Sequence, residues 1–200
     1  MGMVCTLFRV TPAEVDEIIR EPDAIHRILR LDEGLAVREV RPKGILGFLL
    51  RLTPITISEV DPDAPAVKDH VPNPDREIDI DKGWHGLHYL LTGTSGEGKE
   101  PACYMIKGGT DLDDEGVGRV LRPSQVQRFA AFLGALTREQ VEQRYDPVRM
   151  LALEIYPEIW DRTSSAEEDP RAWLIGCFED VRSFVQRAAA AGDGVVIYTS

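Results

Sequence analysis

From Asp169 to Gly192 the chain spells one long amphipathic helix. Asp169 supplies an N-cap, Pro170 the first helical residue and Gly192 the stop. Trp173, Leu174, Cys177, Phe178, Val181, Phe184, Val185 and Ala188 fall on one stripe, and a helix so patterned must lay that stripe on a core. Just past the stop, Val195 to Thr199 is apolar without alternation. Such a strand is buried on both faces and belongs in the middle of a sheet. The other end of the sequence mirrors this pair. Met3 to Val10 is rich in β-formers, and Thr11-Pro12-Ala13-Glu14 then forms a capping box that opens a helix to about Arg20. Strands at both ends with helices in bulk predict an α+β fold, or a loosely wound α/β one. It is a single domain over residues 1–200, with one mixed sheet covered by several helices.

Between these ends the reading is denser in helix. A second helix is expected from Asp23 to Leu31, and a short apolar one from Gly44 to Leu52. Ile55 to Val60 reads as an edge strand. Asp61 to Asp75 contains Pro62, Pro65, Pro72 and Pro74. That density forbids helix and central strand, so residues 61–75 form a Pro-rich loop or lid. Asp81 to Leu91 is expected to be helical, with Asp81 as N-cap and Gly93 as stop. Ala102 to Lys107 reads as a strand, Gly108 to Gly118 as an acidic loop, and Arg119 to Arg122 as a short strand. Pro123 opens a helix to Leu136, Thr137 and Gln140 box another to Tyr145, and Asp146-Pro147 starts one to Leu153. Glu154 to Trp160 is irregular and aromatic.

Composition excludes some functions. The chain has 200 residues, 43% of them hydrophobic and 28% charged, so it can bury one sizeable core. Its net charge is −11. Such a surface repels phosphate and argues against nucleic acid as a partner. Its longest apolar run, Gly44 to Leu52, is too short to span a bilayer and contains Arg51. Met1-Gly2-Met3-Val4-Cys5-Thr6 fits a lipidation pattern but reads better as part of a buried first strand. With no secretory leader in view, no membrane association is expected. Cys5, Cys103 and Cys177 lie far apart inside apolar runs, which predicts free thiols in a reducing cytoplasm.

Three motif-like stretches fail on chemistry. Gly93 to Lys99 has the glycine and lysine spacing of a phosphate-binding loop, but Glu100 stands where a magnesium-binding hydroxyl is needed. The loop also follows a helix rather than a strand. Asp111 to Gly116 resembles the opening of a calcium loop, yet Arg122 occupies the position of the bidentate glutamate. His85 and His88 lie one helical turn apart near Asp79 and Asp81, but His88 shares an apolar face with Trp84, Leu87 and Leu91 and reads as a buried structural histidine. The sequence predicts no metal and no cofactor, and no serine or cysteine nucleophile constellation stands out.

Several segments nevertheless resemble a known family. Met1-Gly2-Met3, Asp79-Ile80-Asp81-Lys82 followed by Trp84, Leu87 and His88, then Leu91-Thr92-Gly93-Thr94, and Glu154-Ile155-Tyr156-Pro157 are similar to the YfbM-like family. Its members are small bacterial cytoplasmic proteins of unknown function. The resemblance runs in order through nearly the whole chain, with Val37 to Asp75 as a variable region. It implies a single α+β domain and no particular activity. It marks Asp79, Asp81, Lys82, Trp84, His88, Thr92, Glu154 and Tyr156 as matching the family pattern.

Two readings of function follow. The first is a non-catalytic soluble binding protein that engages a protein partner, a basic one given the charge, with the Pro-rich loop presenting a surface. The second is an enzyme or small-ligand binder with a polar site formed by Asp79, Asp81, Lys82, His85, Thr94, Glu154 and Tyr156. In either case the site is expected near the N-terminal end of the helix from Asp81, where backbone N–H groups are free. The sequence leaves the oligomeric state open.

Overall fold

A computed structural model describes residues 3–29, 73–112, 118–162 and 169–199 in full, and the backbone of residues 37–40 and 57–60. In chain order its elements begin with β1 (Cys5–Val10), α1 (Pro12–Arg20), α2 (Ala24–Leu29), β2 (Val37–Val40), β3 (Ile57–Val60) and β4 (Glu77–Asp79). Then come α3 (Gly83–Thr92), β5 (Thr110–Asp111), β6 (Gly118–Leu121), α4 (Pro123–Gly134), α5 (Arg138–Glu142), α6 (Pro147–Ala152), α7 (Pro170–Ala191) and β7 (Gly194–Thr199). Contacts divide the chain into two compact units, Met1–Ala24 with Pro72–Ser200, and Ile25–Val71.

The larger unit is built on one sheet in the order β4-β1-β7-β6-β5. β7 is central, as its unbroken apolar run predicts, and Val195, Val196 and Ile197 are buried. β1 runs beside it from Cys5 opposite Thr199 to Val10 opposite Gly194. All four pairings are antiparallel. The expected mixed sheet is therefore an antiparallel one, because β7 enters between β1 and β6 running opposite to both. The class is α+β.

The helix stripe settles onto one face of this sheet. Leu174, Cys177, Phe178, Val181, Phe184, Val185 and Ala188 of α7 join Cys5, Leu7, Leu121, Val195 and Ile197 in one core. α4 adds Val126, Phe129 and Leu133 to it. On the opposite face α1 brings Val15 close above the start of β7, with a methyl 2.4 Å from where a Cβ on Gly194 would lie. Helix ends follow the local signals. Thr11 and Thr137 form complete capping boxes, and Asp146 and Asp169 cap α6 and α7 through their side chains. Each such cap is worth about 1 kcal/mol.

One expected strand is absent. Residues 101–107 form consecutive turns, with Tyr104 N–H bonded to Pro101 O and Lys107 N–H to Cys103 O. Cys103, Tyr104 and Met105 are all buried. Three successive apolar side chains are thus buried by a tight turn, which a two-residue period cannot describe. The following loop contributes β5, paired with β6 through Thr110 opposite Val120.

In the smaller unit β2 pairs antiparallel with β3, Val37 opposite Val60 and Val40 opposite Ile57. The expected helix over Gly44 to Leu52 and the Pro-rich stretch 61–72 lie outside the described residues.

Candidate functional site

The segment that leads into α3 is set by Asp79, not Asp81. Asp79 Oδ1 accepts the Asp81 N–H at 2.7 Å, and Gly83 N–H bonds Ile80 O at 2.9 Å. Asp81 sits in the left-handed region at φ 47°. Lys82 occupies the cap position and forms no side-chain cap bond. The expectation that Asp81 caps the helix is therefore corrected. The helix starts at Gly83, which lies close against α7: an added Cβ there would be 3.1 Å from Cys177 Sγ. Asp79→Ala is expected to cost about 1 kcal/mol through the lost turn bond. Asp81→Gly, which suits a positive φ, is expected to leave stability unchanged or slightly raised. Urea midpoints of the two variants check this, and a larger loss in Asp81→Gly would restore Asp81 as the cap.

His85, in the first turn of α3, joins three parts of the chain. Tyr156 N–H donates to its Nδ1 at 3.1 Å. Its Nε2 lies 2.8 Å from Ser95 O. A carbonyl only accepts, so Nε2 carries the proton and the ring is neutral. Burial also lowers its pKa from the ordinary histidine value. Both nitrogens are spent on backbone.

His88 is fully buried, as its apolar face predicts. Its Nε2 donates to Glu97 O at 3.1 Å, and its Nδ1 is buried without a hydrogen-bond partner. Burial pushes its pKa down to about 4. The glycine-rich loop after α3 thus turns carbonyls toward the helix: Ser95 O to His85, and Glu97 O to both His88 and the Thr94 hydroxyl. A phosphate cradle needs N–H groups facing inward instead.

Trp84 stands at the exposed edge of this cluster. Its ring stacks on His85 at 5.2 Å between centroids and lies 5.9 Å from Tyr156. Its indole N–H donates to Met3 O at 3.3 Å. Trp84 and Tyr156 are half-buried, and Met3 is 47% exposed. Trp84 is therefore a rim residue and not the core residue that its helical face suggests. Glu154 is exposed and also has a positive φ, 52°. The segment that carries it is held from below by Ile155 N–H on Met150 O, Trp160 Nε1–H on Ile155 O and Tyr145 O–H on Trp160 O.

Of the residues singled out from the sequence, the structure links His85 and Tyr156 directly, and Thr94 through its neighbour Ser95. Asp79, Asp81 and Lys82 stand at the start of the same helix, and Glu154 two positions before Tyr156. Asp79 and Thr94 have polar atoms committed to nearby chain. Burial pushes the thiols of Cys5 and Cys177 up to about 12 and raises that of Cys103. All three cysteines are free and buried. Among the described residues no group of three or more His, Cys, Asp or Glu could hold a metal ion, and no helix is long and apolar enough to cross a membrane. The sequence reading missed Met3 and Ser95, which join the site through backbone atoms. It also missed a cleft of about 380 Å³ at the C-terminal end of α3, where Arg144 and Arg149 meet Tyr89 and Leu91.

Comparison with known proteins agrees with this architecture. A family model described as "Domain of unknown function (DUF1877)" matches residues 1–198. "Protein YfbM" of Escherichia coli (strain K12) is 33% identical over 90 residues, which is 42% of this chain and 53% of that relative. The aligned stretch thus spans about half of that relative's length. The crystal structure of a protein of unknown function, YfbM from Escherichia coli, superposes with a TM-score of 0.62 at 20% identity. That match covers 98% of this chain and 99% of the other, and it shows the same fold.

Proposed function

Because the chain belongs to the DUF1877 family, the YfbM-like family whose function is not established, we propose from the site's geometry that it is a bacterial cytoplasmic binding protein without catalytic activity. It recognises a basic segment of a partner protein. The observation that carries this reading is His85, whose two ring nitrogens are both taken by backbone groups. The one histidine at the site's edge is a strut behind Trp84, not a proton carrier.

What it supports is a surface suited to recognition. Trp84 and Tyr156 are half-exposed, fixed in place and flanked by Met3. Tryptophan and tyrosine are the residues that most often anchor interfaces. The exposed carboxylates of Asp79, Asp81 and Glu154 lie close in sequence to these rings. A partner lysine or arginine gains a cation–π contact on the indole and Coulomb attraction from the carboxylates. The net charge of −11 steers such a partner in.

The test is capture from a bacterial lysate on immobilised wild-type protein and on a Trp84→Ala, Tyr156→Ala double variant. Trp84 is a rim residue, so its loss is expected to cost only about 1–2 kcal/mol and leave the fold intact. The expected result is a partner with a basic segment, released by salt and lost from the double variant. Equal capture by both proteins, or a partner whose binding ignores salt, removes the proposal.

A further inference from the structure

We infer that the cleft at the C-terminal end of α3 is a second binding site, which takes the carboxylate of a small organic acid between Arg144 and Arg149. The cleft, about 380 Å³, falls in the range of small-molecule sites. Arg144 is anchored there: one Nη1–H donates to Leu90 O at 3.0 Å, which takes up a terminal carbonyl of the helix. Its remaining N–H donors meet no acceptor among the described residues. Arg149 projects from α6, and its side chain makes no hydrogen bond or ion pair among the described residues.

Several other arginines meet carboxylates. Arg76 meets Glu14, Arg122 meets Asp16, Arg128 meets Glu100 and Arg138 meets Glu142. Among the described residues Arg144 and Arg149 form no ion pair, and both line this cleft. Asp146, which acts electrostatically on Tyr89 in the cleft, spends one oxygen on the Arg149 backbone N–H as the cap of α6. Two guanidiniums and one carboxylate leave a single net positive charge. That matches a monoanionic carboxylate better than a phosphate dianion, and a planar fork accepts a carboxylate with two parallel bonds.

The rest of the cleft has a small apolar part: Tyr89 and Leu91, 4% and 6% exposed, line it beside Thr92 and Gly93. Gly93 holds a left-handed turn at φ 75°, and a Cβ built on it meets nothing within 4 Å, so the mouth beside it is open.

The test is an amide NMR titration with benzoate, acetate and inorganic phosphate at constant ionic strength. Benzoate is expected to shift the Thr92, Gly93 and Arg149 resonances saturably and to bind more tightly than acetate or phosphate. Arg149→Ala, at an exposed position without a side-chain partner among the described residues, is expected to keep the fold and weaken benzoate at least about tenfold. Trp84→Ala is expected to leave benzoate binding unchanged, which separates this site from the one proposed above. Absence of saturable shifts, equal binding by Arg149→Ala, or phosphate binding more tightly than benzoate overturns the assignment.

Discussion

Gly86→Leu is expected to cost at least about 3 kcal/mol, the upper range for overpacking a core. A Cβ at Gly86 would lie 2.6 Å from Trp160 Cη2 and 2.9 and 3.0 Å from the two methyls of Leu174. Neither neighbour has room to yield. Trp160 is 2% exposed, and its indole N–H is tied to Ile155 O; Leu174 is fully buried in α7. A glycine inside a helix costs up to about 1 kcal/mol against alanine, and here it permits close approach of α3 to Trp160 and α7. Gly176 is the control. It lies in α7 with nothing within 4 Å of its would-be Cβ, so Gly176→Ala is expected to stabilise by about 0.5–1 kcal/mol. Urea midpoints at neutral pH measure both. An unchanged midpoint for Gly86→Leu would show that the helices slide apart at little cost.

Acid is expected to weaken the fold through His88 well before the carboxylates titrate. The ring is neutral in the native protein, with its pKa pushed down to about 4 by burial, and the positive charges of Lys107 and Arg119 act the same way. In the unfolded chain it returns to about 6.5. Between these values the unfolded state binds more protons, so stability is full above about pH 6.5 and falls as pH drops toward 4. By pH 5 the loss is roughly 1–2 kcal/mol. The geometry gives the same sign: a proton added at Nδ1 would be a buried donor with nothing to receive it. His85, lowered in the same direction, adds to the slope. Urea midpoints from pH 7.5 to 5 measure it. His88→Gln keeps a donor for Glu97 O and cannot titrate, so its midpoint should be lower throughout and nearly flat. A wild-type midpoint that does not move over that range would contradict this account.

The features legible in the sequence are those decided within a few residues. Thr11, Thr137, Asp146 and Asp169 cap the helices that their spacing announces, since donor and acceptor lie within one turn of each other. The stripe of α7 and the unbroken apolar run of β7 likewise carry their burial in their periodicity. What was illegible depends on distant chain. Asp79 and Asp81 are both plausible caps locally. In the fold the segment pairs with β1, more than 70 positions earlier, and Asp79 Oδ1 takes the Asp81 N–H. His85 reads as a free polar residue until Tyr156, 71 positions away, donates to it. Cys103, Tyr104 and Met105 look like a strand because burial of successive apolar residues is the signal a buried strand gives. The helix that carries His85 was legible from the sequence, while the partners of its side chains required the fold.

The pairing of β1 with β7 has a consequence for how the protein is made. A ribosome delivers β1 first and β7 after every other described element, and Arg9 finds Asp193 184 positions away. Loop closure over such a span is slow. Until β7 emerges, β1 lacks its central partner, so the apolar Leu7, Phe8 and Val10 wait without their native cover. A nascent chain held in that state is an open template for strand addition from other chains. The hazard therefore lies in the interval between the two strands' emergence, which lengthens with every residue that separates them.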